Sequence, residues 1–362
     1  MVHAAIELTR ARQRSTVKFP HRADLIADIA GLEQATSDRV AEHKAKRFAK
    51  AMPSRIVDLC CGIGGDAMRL QTICPVIAID RDPLRAWMAA QNARCKTIAT
   101  DVESLDLHEL RETTGTLFHI DPSRRDEDAG SKRAWKLHEY RPGPAFLRRL
   151  LAISPDGAIK LGPGVDFDTL IDLAPTHTAE VEVINENGAL VQAILWCGKL
   201  AECPGERTAT RLDATGAVRY SGVPSPIPQS ASAAFTGYLL VPDPAIERAG
   251  LVGTLAIELG IQSPFPPLGL LCADAPPDSP WFAAFEVLDE MPWRIPTIRA
   301  WLKANDGGIV EVKTRGGAVE TDKAQLELRG SGNTIYAVFG LRMGRSRKAV
   351  ITRRIARVAS DS

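Results

Sequence analysis

The run Arg-Ile-Val-Asp-Leu-Cys-Cys-Gly-Ile-Gly-Gly-Asp, residues 55–66, decides the fold of this chain. Its apolar first half is typical of a short buried strand, and its glycines let the backbone pass close to a ligand. A helix predicted from about Asp66 to Thr72 would point its free N–H groups at that ligand. The run therefore predicts a strand, a tight turn and a helix around a cofactor site.

The residues of this run narrow the class of cofactor. Asp58 stands at the strand end, where a carboxylate repels a pyrophosphate but can hold an ammonium group, such as the amino acid part of S-adenosylmethionine. Gly62 and Gly64 are candidate cofactor-binding residues. Residues 62–67 also satisfy the dinucleotide fingerprint G-x-G-x-x-G/A, so a nicotinamide enzyme stays open at this point.

Composition indicates a soluble globular protein. The chain has 362 residues, 45% of them apolar, and a net charge of +1, which allows a full core and two domains. It lacks a bilayer-length apolar run and a signal-peptide core, so we expect a cytoplasmic protein. The seven cysteines show no C-x-x-C spacing, and we expect no metal site.

Residues 1–50 are predicted to be helical and are rich in basic side chains, for which a solvated helix face is the alternative to a binding role. Lys18-Phe19-Pro20 interrupts the helical pattern, because proline disfavours helical angles in the residue before it. Lys18 is therefore a candidate substrate-binding residue on a loop.

From Ser54, strands and helices alternate, which predicts a parallel sheet with helices on both faces. Asp80 ends the second strand 22 positions after Asp58, the place of the acid that binds ribose hydroxyls in doubly wound sheets. Asp101 follows the third strand, where it can accept a hydrogen bond from an adenine amino group. Its alternative role is to cap the next helix.

The fourth strand, residues 116–120, continues directly into Asp121-Pro122-Ser123-Arg124-Arg125. Ligands of open α/β sheets bind beyond the carboxyl ends of the strands, so this loop is expected to face the reacting group. We assign Asp121 to the cofactor-binding and the catalytic sets, as the group that positions or deprotonates the nucleophile. Arg124, also catalytic, and Arg125 are expected to bind substrate, unless they pair with the acids at 126–128.

Two strand-like runs, 178–185 and 189–197, are joined by Glu186-Asn187-Gly188, and Asn-Gly is a strong hairpin signal. The two strands are therefore predicted to be antiparallel. A mostly parallel sheet that ends in a reversed strand is the arrangement of class I methyltransferases, whereas the sheet of dinucleotide dehydrogenases is all parallel.

These motifs, in this order, resemble those of class I S-adenosylmethionine-dependent methyltransferases. More narrowly, the chain looks like the bacterial methyltransferases with a C-terminal THUMP-like domain, on Lys18-Phe19-Pro20, Leu32-Glu33-Gln34-Ala35-Thr36, Lys44-Ala45-Lys46-Arg47-Phe48, Asp121 to Arg125, Asp243-Pro244-Ala245-Ile246, Arg248-Ala249-Gly250-Leu251 and the stretch 342–354. The resemblance implies S-adenosyl-L-methionine as cofactor and an α/β fold: a Rossmann-like seven-stranded sheet with N-terminal helices and a smaller C-terminal α+β domain.

The fourth motif departs from two related groups. Trimethylguanosine synthases have D-P-P-W there, and enzymes that methylate the amino group of adenine have [DN]-P-P-[YFW]. Ser123 and Arg124 stand in those places here, without an aromatic residue to clamp a base. The target atom of those enzymes is therefore not carried over.

The predicted domains are an N-terminal helical segment (1–50), a methyltransferase domain (51–200), a linker or β extension (201–234) and a THUMP-like domain (235–362). Between residues 334 and 360 there are seven basic residues and no acidic one, which predicts one positive face on alternating strand positions. Arg345, Arg347 and Arg353 are the expected RNA contacts. A sheet edge protected by charge is the alternative.

The sequence thus predicts a cytoplasmic methyltransferase that acts on RNA and uses its C-terminal domain to bind it. One alternative is methylation of a protein or small molecule. The other is an RNA-binding protein that keeps the cofactor as a structural ligand.

Overall fold

The computed structural model describes residues 2–112, 114–124, 136–174 and 176–355. The chain divides into two compact units, Met1–Gly222 and Val223–Ser362, referred to below as the first and the second unit. Among the described residues, no helix is both long and apolar enough to cross a bilayer.

The first 50 residues form three helices: α1 (Val2–Ser15), α2 (Ile29–Gln34) and α3 (Asp38–Lys50). The predicted interruption at Lys18-Phe19-Pro20 falls in the turns between α1 and α2. Helix α3 begins at Ser37, whose hydroxyl accepts the Val40 N–H at 3.3 Å. Its buried residues recur at helical spacing and include two cationic side chains among apolar ones: Val40, Ala41, Lys44, Ala45, Arg47 and Phe48.

The first unit contains a nine-stranded sheet in the order β11-β10-β8-β9-β7-β4-β1-β2-β3. Its strands are β1 (Arg55–Leu59), β2 (Val76–Asp80), β3 (Lys96–Ala99), β4 (Thr116–Ile120), β7 (Gly157–Leu161), β8 (Ala179–Glu186), β9 (Ala189–Cys197), β10 (Arg207–Asp213) and β11 (Gly216–Gly222). Strands β3, β2, β1, β4 and β7 are parallel neighbours. The predicted class I order is confirmed in the seven strands from β8 to β3.

The reversed strand lies where the Asn-Gly signal predicts it. Strands β8 and β9 form an antiparallel hairpin, and β9 also pairs antiparallel with β7. Asn187 and Gly188 both have positive φ, 52° and 90°, the combination that a two-residue turn matching the strand twist requires. Local turn chemistry thus sets the position of β9 within the sheet.

Four helices connect the parallel strands: α4 (Ala67–Leu70), α5 (Pro83–Ala93), α6 (His108–Glu112) and α7 (Pro144–Ile153). A short ribbon after β4 pairs β5 (Ser123–Arg124) with β6 (Tyr140–Arg141). The prediction of a helix from Asp66 to Thr72 was wrong in its bounds, because the observed helix α4 has only four residues. Tight turns follow it up to Pro75, so its N-terminus contributes little dipole field.

The hairpin formed by β10 and β11 corresponds to the β extension predicted as one alternative for residues 201–234, but it belongs to the sheet of the first unit. Strand β10 pairs parallel with β8, so the first unit extends to Gly222 rather than to residue 200. The physical reason lies on β8, where the Glu180 and Glu182 side chains are buried. Thr208 of β10 donates its hydroxyl to Glu180 Oε1 at 2.7 Å, and Thr210 donates to Glu182 Oε1.

The second unit is an α+β module, as predicted. Its sheet has the order β13-β12-β14-β17-β16-β15, with strands β12 (Tyr238–Pro242), β13 (Leu271–Ala273), β14 (Phe282–Pro292), β15 (Gly307–Arg315), β16 (Thr334–Met343) and β17 (Ser346–Arg354). Its helices are α8 (Pro244–Arg248), α9 (Val252–Leu259), α10 (Ile295–Ala304) and α11 (Thr321–Leu328). Two apolar clusters pack this unit, one containing Val338 and Ile351, the other Phe339 and Val350.

The prediction of one positive face was wrong. In the β16–β17 hairpin, Arg342 pairs with Arg347, whereas Lys348 points to the opposite face of β17. Strand β14 also brings acids that the local sequence lacks: Glu286 lies 3.8 Å from Arg353, and Glu290 forms an ion pair with Lys348. The basic residues are therefore divided between both faces, and some are neutralised.

Candidate active site

A cavity of about 960 Å³ opens at the carboxyl ends of β1, β2, β4 and β7. Five of the predicted cofactor residues line it together: Asp58, Gly62, Asp80, Asp101 and Asp121. This is the edge at which open α/β sheets bind ligands. The N-terminal segment contributes to the wall as well, through residues 31 and 34–36.

The glycine turn after β1 combines two different requirements. Gly62 has φ +55°, and the space around its missing Cβ is empty to 4 Å, so the backbone there is open to a ligand. Gly64 does not line the cavity. A Cβ on Gly64 would lie 3.0 Å from the Cα of Ala89, so this glycine serves the close packing of the turn against α5.

Asp80 and Asp101 reach the cavity from the ends of β2 and β3. Asp80 accepts the Gly62 N–H at 2.9 Å and the Asp82 N–H at 3.0 Å, which ties the glycine turn to the second strand. Asp101 lines the cavity and also accepts the Glu103 N–H at 2.9 Å, which caps the 3₁₀ turn that follows. Both roles considered for Asp101 are thus compatible with its position.

Behind the cavity, polar side chains form a continuous buried chain, called here the buried relay. Asp58 Oδ1 lies 2.7 Å from His119 Nδ1, and His119 Nε2 lies 3.2 Å from Lys44 Nζ. Lys44 forms an ion pair with Asp66, whose Oδ2 accepts the Thr36 hydroxyl at 2.8 Å. All five residues are buried, and they connect β1 and β4 with helix α3.

Burial sets the charges in this relay. It raises the pKa of Asp58, against the opposing effect of His119, and it lowers the pKa of Lys44. Burial also disfavours ionisation of Asp66, but the neighbouring cations Lys44 and Lys160 oppose this effect, and the pKa of Asp66 lies well below its usual range. Lys44 and Asp66 are therefore a charged pair, and Asp58 is the group whose ionisation is least favoured.

Asp58 Oδ2 is buried and accepts no hydrogen bond from the residues that the structure describes. A buried carboxylate oxygen without a donor costs about 1 to 3 kcal/mol, so it marks a place where a ligand donor fits. Because Asp58 also lines the cavity, the α-ammonium group of S-adenosylmethionine suits this oxygen in both charge and donor chemistry.

The lining of the cavity is acidic overall. Among its described residues, seven carboxylates stand against four cationic side chains: Asp58, Asp66, Asp80, Asp82, Asp101, Glu103 and Asp121, against Arg81, Arg85, Arg141 and Lys160. Such a wall favours a cationic ligand and opposes a pyrophosphate. The residues present therefore fit a sulfonium cofactor better than a nicotinamide dinucleotide.

At the mouth of the cavity, Lys160 of β7 donates to Asp121 Oδ2 at 2.5 Å. Nearby, the buried Tyr140 hydroxyl accepts the Gly162 N–H at 2.8 Å, which fixes the ribbon after β4 against the end of β7. Asp121 is thereby held as an ion pair beside the ligand space, with one third of its side chain exposed (33%). This arrangement suits a group that accepts a proton from, or orients, a nucleophile.

The predicted substrate residues lie in different places. Lys18, predicted to reach the substrate from a loop, does not line the cavity. Its Nζ donates instead to the carbonyl oxygens of Leu32, Glu33 and Ala35 at 2.6 to 3.0 Å. These are the last carbonyls of α2, so the side chain caps a helix end. Arg124 lies in β5 beside the cavity, and Arg125 lies outside the described residues.

His119, Lys44 and Lys160 are polar residues of this site that the sequence analysis did not predict. His119 interrupts the apolar run at residues 116–120, which is correctly predicted as a strand, and Lys160 interrupts the apolar run of β7. A polar side chain inside a buried strand must find a partner, and this was the available signal. The identity of that partner depends on the fold.

Two family models match parts of this chain. The model described as RNA cap guanine-N2 methyltransferase matches residues 53–114, which contain the glycine turn, Asp80 and Asp101. The model described as THUMP domain-like matches residues 282–354 in the second unit. Each match covers less than half of the chain, so each shows a similarity of that segment alone.

Relatives match over nearly the full length. Two sequences from Mycobacterium tuberculosis, strains CDC 1551 and H37Rv, are described as uncharacterized S-adenosylmethionine-dependent methyltransferases and are 31% identical over 363 residues, covering 97% of this chain and 96% of theirs. A solved structure from Porphyromonas gingivalis W83, assigned to the methyltransferases, superposes with a TM-score of 0.81 at 18% identity, over 98% of this chain and 90% of that one. This second likeness concerns the fold.

Proposed function

Because the chain belongs to the family of S-adenosylmethionine-dependent methyltransferases that includes these mycobacterial relatives, we propose that the methyl group it transfers goes to RNA. Membership of the family establishes the cofactor and the reaction class. The methyl acceptor and the roles of individual residues are the subject of the proposal.

A group of four exposed arginines in the second unit, called here the arginine cluster, carries this proposal: Arg294, Arg342, Arg345 and Arg347. Arg342 and Arg347 are paired across β16 and β17, and Arg345 lies in the turn between these strands. The N–H of Trp293 donates to the carbonyl of Arg347 at 2.9 Å, which places Arg294 beside the hairpin. Within the part of the chain that the structure describes, none of the four forms an ion pair with an acid.

Exposed guanidinium groups without acidic partners are suited to phosphate oxygens, which they bind in bidentate geometry. Phosphate contacts supply most of the affinity of nucleic-acid binding proteins. The likeness of residues 282–354 to a THUMP-like domain, and of residues 53–114 to an RNA cap methyltransferase, supports RNA as the polyanion.

In the proposed mechanism, S-adenosylmethionine supplies an electrophilic methyl group on a sulfonium sulfur. Asp58 holds the ammonium group of the cofactor, and Asp80 accepts hydrogen bonds from its ribose hydroxyls. Asp101 accepts from the adenine amino group. Gly62 leaves room for the cofactor where a side chain would project into the cavity. These contacts orient the methyl group, and orientation is the main requirement of an in-line transfer.

Asp121 positions the nucleophile and accepts its proton as the methyl group is transferred. Lys160 holds Asp121 as an ion pair, which keeps one carboxylate oxygen fixed and leaves the other directed to the substrate. Arg124, on the ribbon that continues from Asp121, contacts the substrate near the reacting atom. The residues that hold the cofactor and those that move the proton are thus separate.

The test uses methyl-labelled S-adenosylmethionine, the purified protein, and separated RNA, protein and small-molecule fractions from cells that lack it. We expect label in RNA, in a single type of modified nucleoside after digestion. The Asp121→Ala variant is the control, because it should bind cofactor and transfer little label. Label confined to the protein or small-molecule fraction would overturn the proposal and would assign the second unit to another task.

A further inference from the structure

The buried relay connects Asp58, which lines the cavity, with Lys44 of helix α3, which does not. His119 is its central member, with one ring nitrogen on Asp58 and the other on Lys44. His119 and Asp58 each expose 1% of their surface, and so does Lys44. These bonds are therefore shielded from bulk solvent, in surroundings where a hydrogen bond is stronger and an unpaired polar group is costly.

One assignment of protons satisfies all of these contacts. Lys44 is paired with Asp66, so Lys44 is the ammonium and donates to His119 Nε2. Because Nε2 accepts, the ring is neutral and carries its proton on Nδ1, which donates to Asp58 Oδ1. Every donor then points towards Asp58, and Oδ2 of Asp58 is left for a ligand.

Building on the proposed role of Asp58 as the ligand of the cofactor's ammonium group, we propose that His119 and Lys44 are positioning residues for cofactor binding, which act through Asp58 by holding it as a carboxylate with its free oxygen at the cavity. The charges of the relay support this role: Lys44 is cationic, Asp66 and Asp58 are anionic, and the sum is one uncompensated negative charge. The other charged pair nearby, Lys160 with Asp121, is neutral in sum. A bound ammonium group therefore balances the relay.

Without the relay, the same burial works against binding. Burial raises the pKa of Asp58, and His119 is the largest opposing influence. Loss of the His119 donor raises the pKa of Asp58 further, so the free protein holds a proton there that a cationic ligand must displace. Affinity for the ligand then falls as the pH falls, and the fall begins at a higher pH than in the parent protein.

A second histidine with a buried carboxylate partner offers a control. His43, also on α3, lies 2.8 Å from Glu182 through Nε2, but neither residue lines the cavity. Each of the two histidines thus bonds to a buried carboxylate, His119 through Nδ1 and His43 through Nε2. Because His43 bonds through Nε2, the Gln amide keeps its donor for Glu182 and the Asn amide removes it. If these pairs only stabilise the fold, the two variants that remove the donor, His119→Gln and His43→Asn, should have the same effects.

The experiment compares His119→Asn with His119→Gln, because the two amides differ in reach. The Asn amide takes the place of Nδ1 and keeps a donor for Asp58, whereas the Gln amide reaches the place of Nε2 and leaves Asp58 without one. His43→Asn and His43→Gln are the controls. Binding of S-adenosylhomocysteine, which carries the same ammonium group, is measured by calorimetry from pH 5.5 to 8.5, and thermal unfolding of the ligand-free proteins is recorded.

We expect His119→Asn to bind within about 3-fold of the parent protein and His119→Gln to bind about 10-fold or more weakly at neutral pH, the effect of one charge-assisted hydrogen bond. The pH at which affinity declines should rise in His119→Gln and stay in place in both His43 variants. Equal affinity and pH profiles for the two His119 variants would overturn the proposal. So would losses that follow thermal stability alone at both histidines. If one of the two His119 variants does not fold, the other is compared with the parent protein alone, and the result expected for it is unchanged.

Discussion

Asp80 has two tasks at the cavity. Its Oδ2 accepts the Gly62 N–H and its Oδ1 accepts the Asp82 N–H, so it orders the glycine turn before any ligand binds. A carboxylate has about four acceptor sites, and these two bonds leave capacity for ribose hydroxyls. Loss of the side chain therefore loosens the glycine turn and, on the role proposed for Asp80, removes a contact with the cofactor.

We expect Asp80→Ala to weaken binding of S-adenosylmethionine by about 1 to 3 kcal/mol, since it removes a charge-assisted acceptor. Calorimetric titration measures this directly. Asp80→Asn is the control, because it keeps one acceptor oxygen for the Gly62 N–H and should lose less affinity. An unchanged dissociation constant in Asp80→Ala would remove Asp80 from the cofactor site.

Asp121 and Lys160 should affect the reaction rather than cofactor binding. We expect Asp121→Ala to lower single-turnover methyl transfer about 100-fold or more with nearly parent affinity for S-adenosylmethionine, as for a general base. Lys160→Met should lower transfer in the same direction, because Asp121 loses the ion pair that orients it. If affinity and rate fall together, Asp121 is a cofactor ligand instead.

At this scale the sequence predicts acids better than their partners. Asp58, Asp80, Asp101 and Asp121 are each recognisable because they follow a predicted strand, and strand ends meet at one edge of a parallel sheet. His119 and Lys44 are 75 positions apart, and only the packing of α3 on β4 brings them together. No local pattern contains such a contact. Lys18 is the opposite case: its position in the sequence is compatible with a role in the site, but its ammonium group donates to three backbone carbonyls instead.

Helix α3 is the element that joins the N-terminal segment to the sheet. Arg47 donates through Nε to the Leu200 carbonyl at 2.7 Å and forks onto Glu180 with both Nη groups. Its guanidinium also lies 4.4 Å from the ring centroid of Trp196. Arg47 and Glu180 are fully enclosed, so each charge depends on the other.

We expect Arg47→Ala to lower the free energy of unfolding by about 3 to 5 kcal/mol, because it leaves Glu180 charged and buried with fewer donors. Urea denaturation measures the change. Lys46→Ala is the matched control on the same helix, since the pair of Lys46 with Glu42 is exposed and such pairs contribute about 0.5 kcal/mol. A loss below about 1 kcal/mol in Arg47→Ala would mean that Glu180 is held by its other donors.

Elements were predictable where a local signal is strong. The Asn187-Gly188 turn specified the β8–β9 hairpin, and the bounds of β4 agree with the prediction. The β10–β11 hairpin was recognisable as a hairpin, but its pairing with β8 was not. That pairing depends on buried glutamates that need the Thr208 and Thr210 hydroxyls. A need for hydrogen-bond partners between strands that are distant in sequence produces no periodic pattern in the sequence.

On the scale of the whole molecule, the cofactor residues lie in the first unit and the arginine cluster in the second. Net charge is close to zero, so the basic character of the second unit is a local property. The sequence correctly indicated where basic residues concentrate, in residues 342–354. It could not show which of them are neutralised, because the acids come from β14, about 60 residues earlier along the chain.

The salt dependence of RNA binding tests this division of tasks. Each lost phosphate contact lowers the slope of log affinity against log salt by about 0.7 to 0.9, so we expect Arg294→Gln, Arg345→Gln and Arg347→Gln together to flatten it by about 2. Fluorescence binding to RNA from low to high salt measures both slopes. Arg353→Gln is the matched control, because Arg353 lies 3.8 Å from Glu286 and has less charge to offer a phosphate. Arg353→Gln should change the slope by much less than the average contribution of Arg294, Arg345 and Arg347 in the triple variant.

Affinity for S-adenosylhomocysteine, measured on the same preparations, should stay at the parent value, since the substituted arginines belong to the second unit. This separates a defect in RNA binding from a defect in folding. A triple variant that keeps the parent slope would show that the arginine cluster only protects a sheet surface from association, as charged edge strands do. The methyl acceptor would then have to be recognised by the first unit, and a protein or a small molecule would become the better candidate.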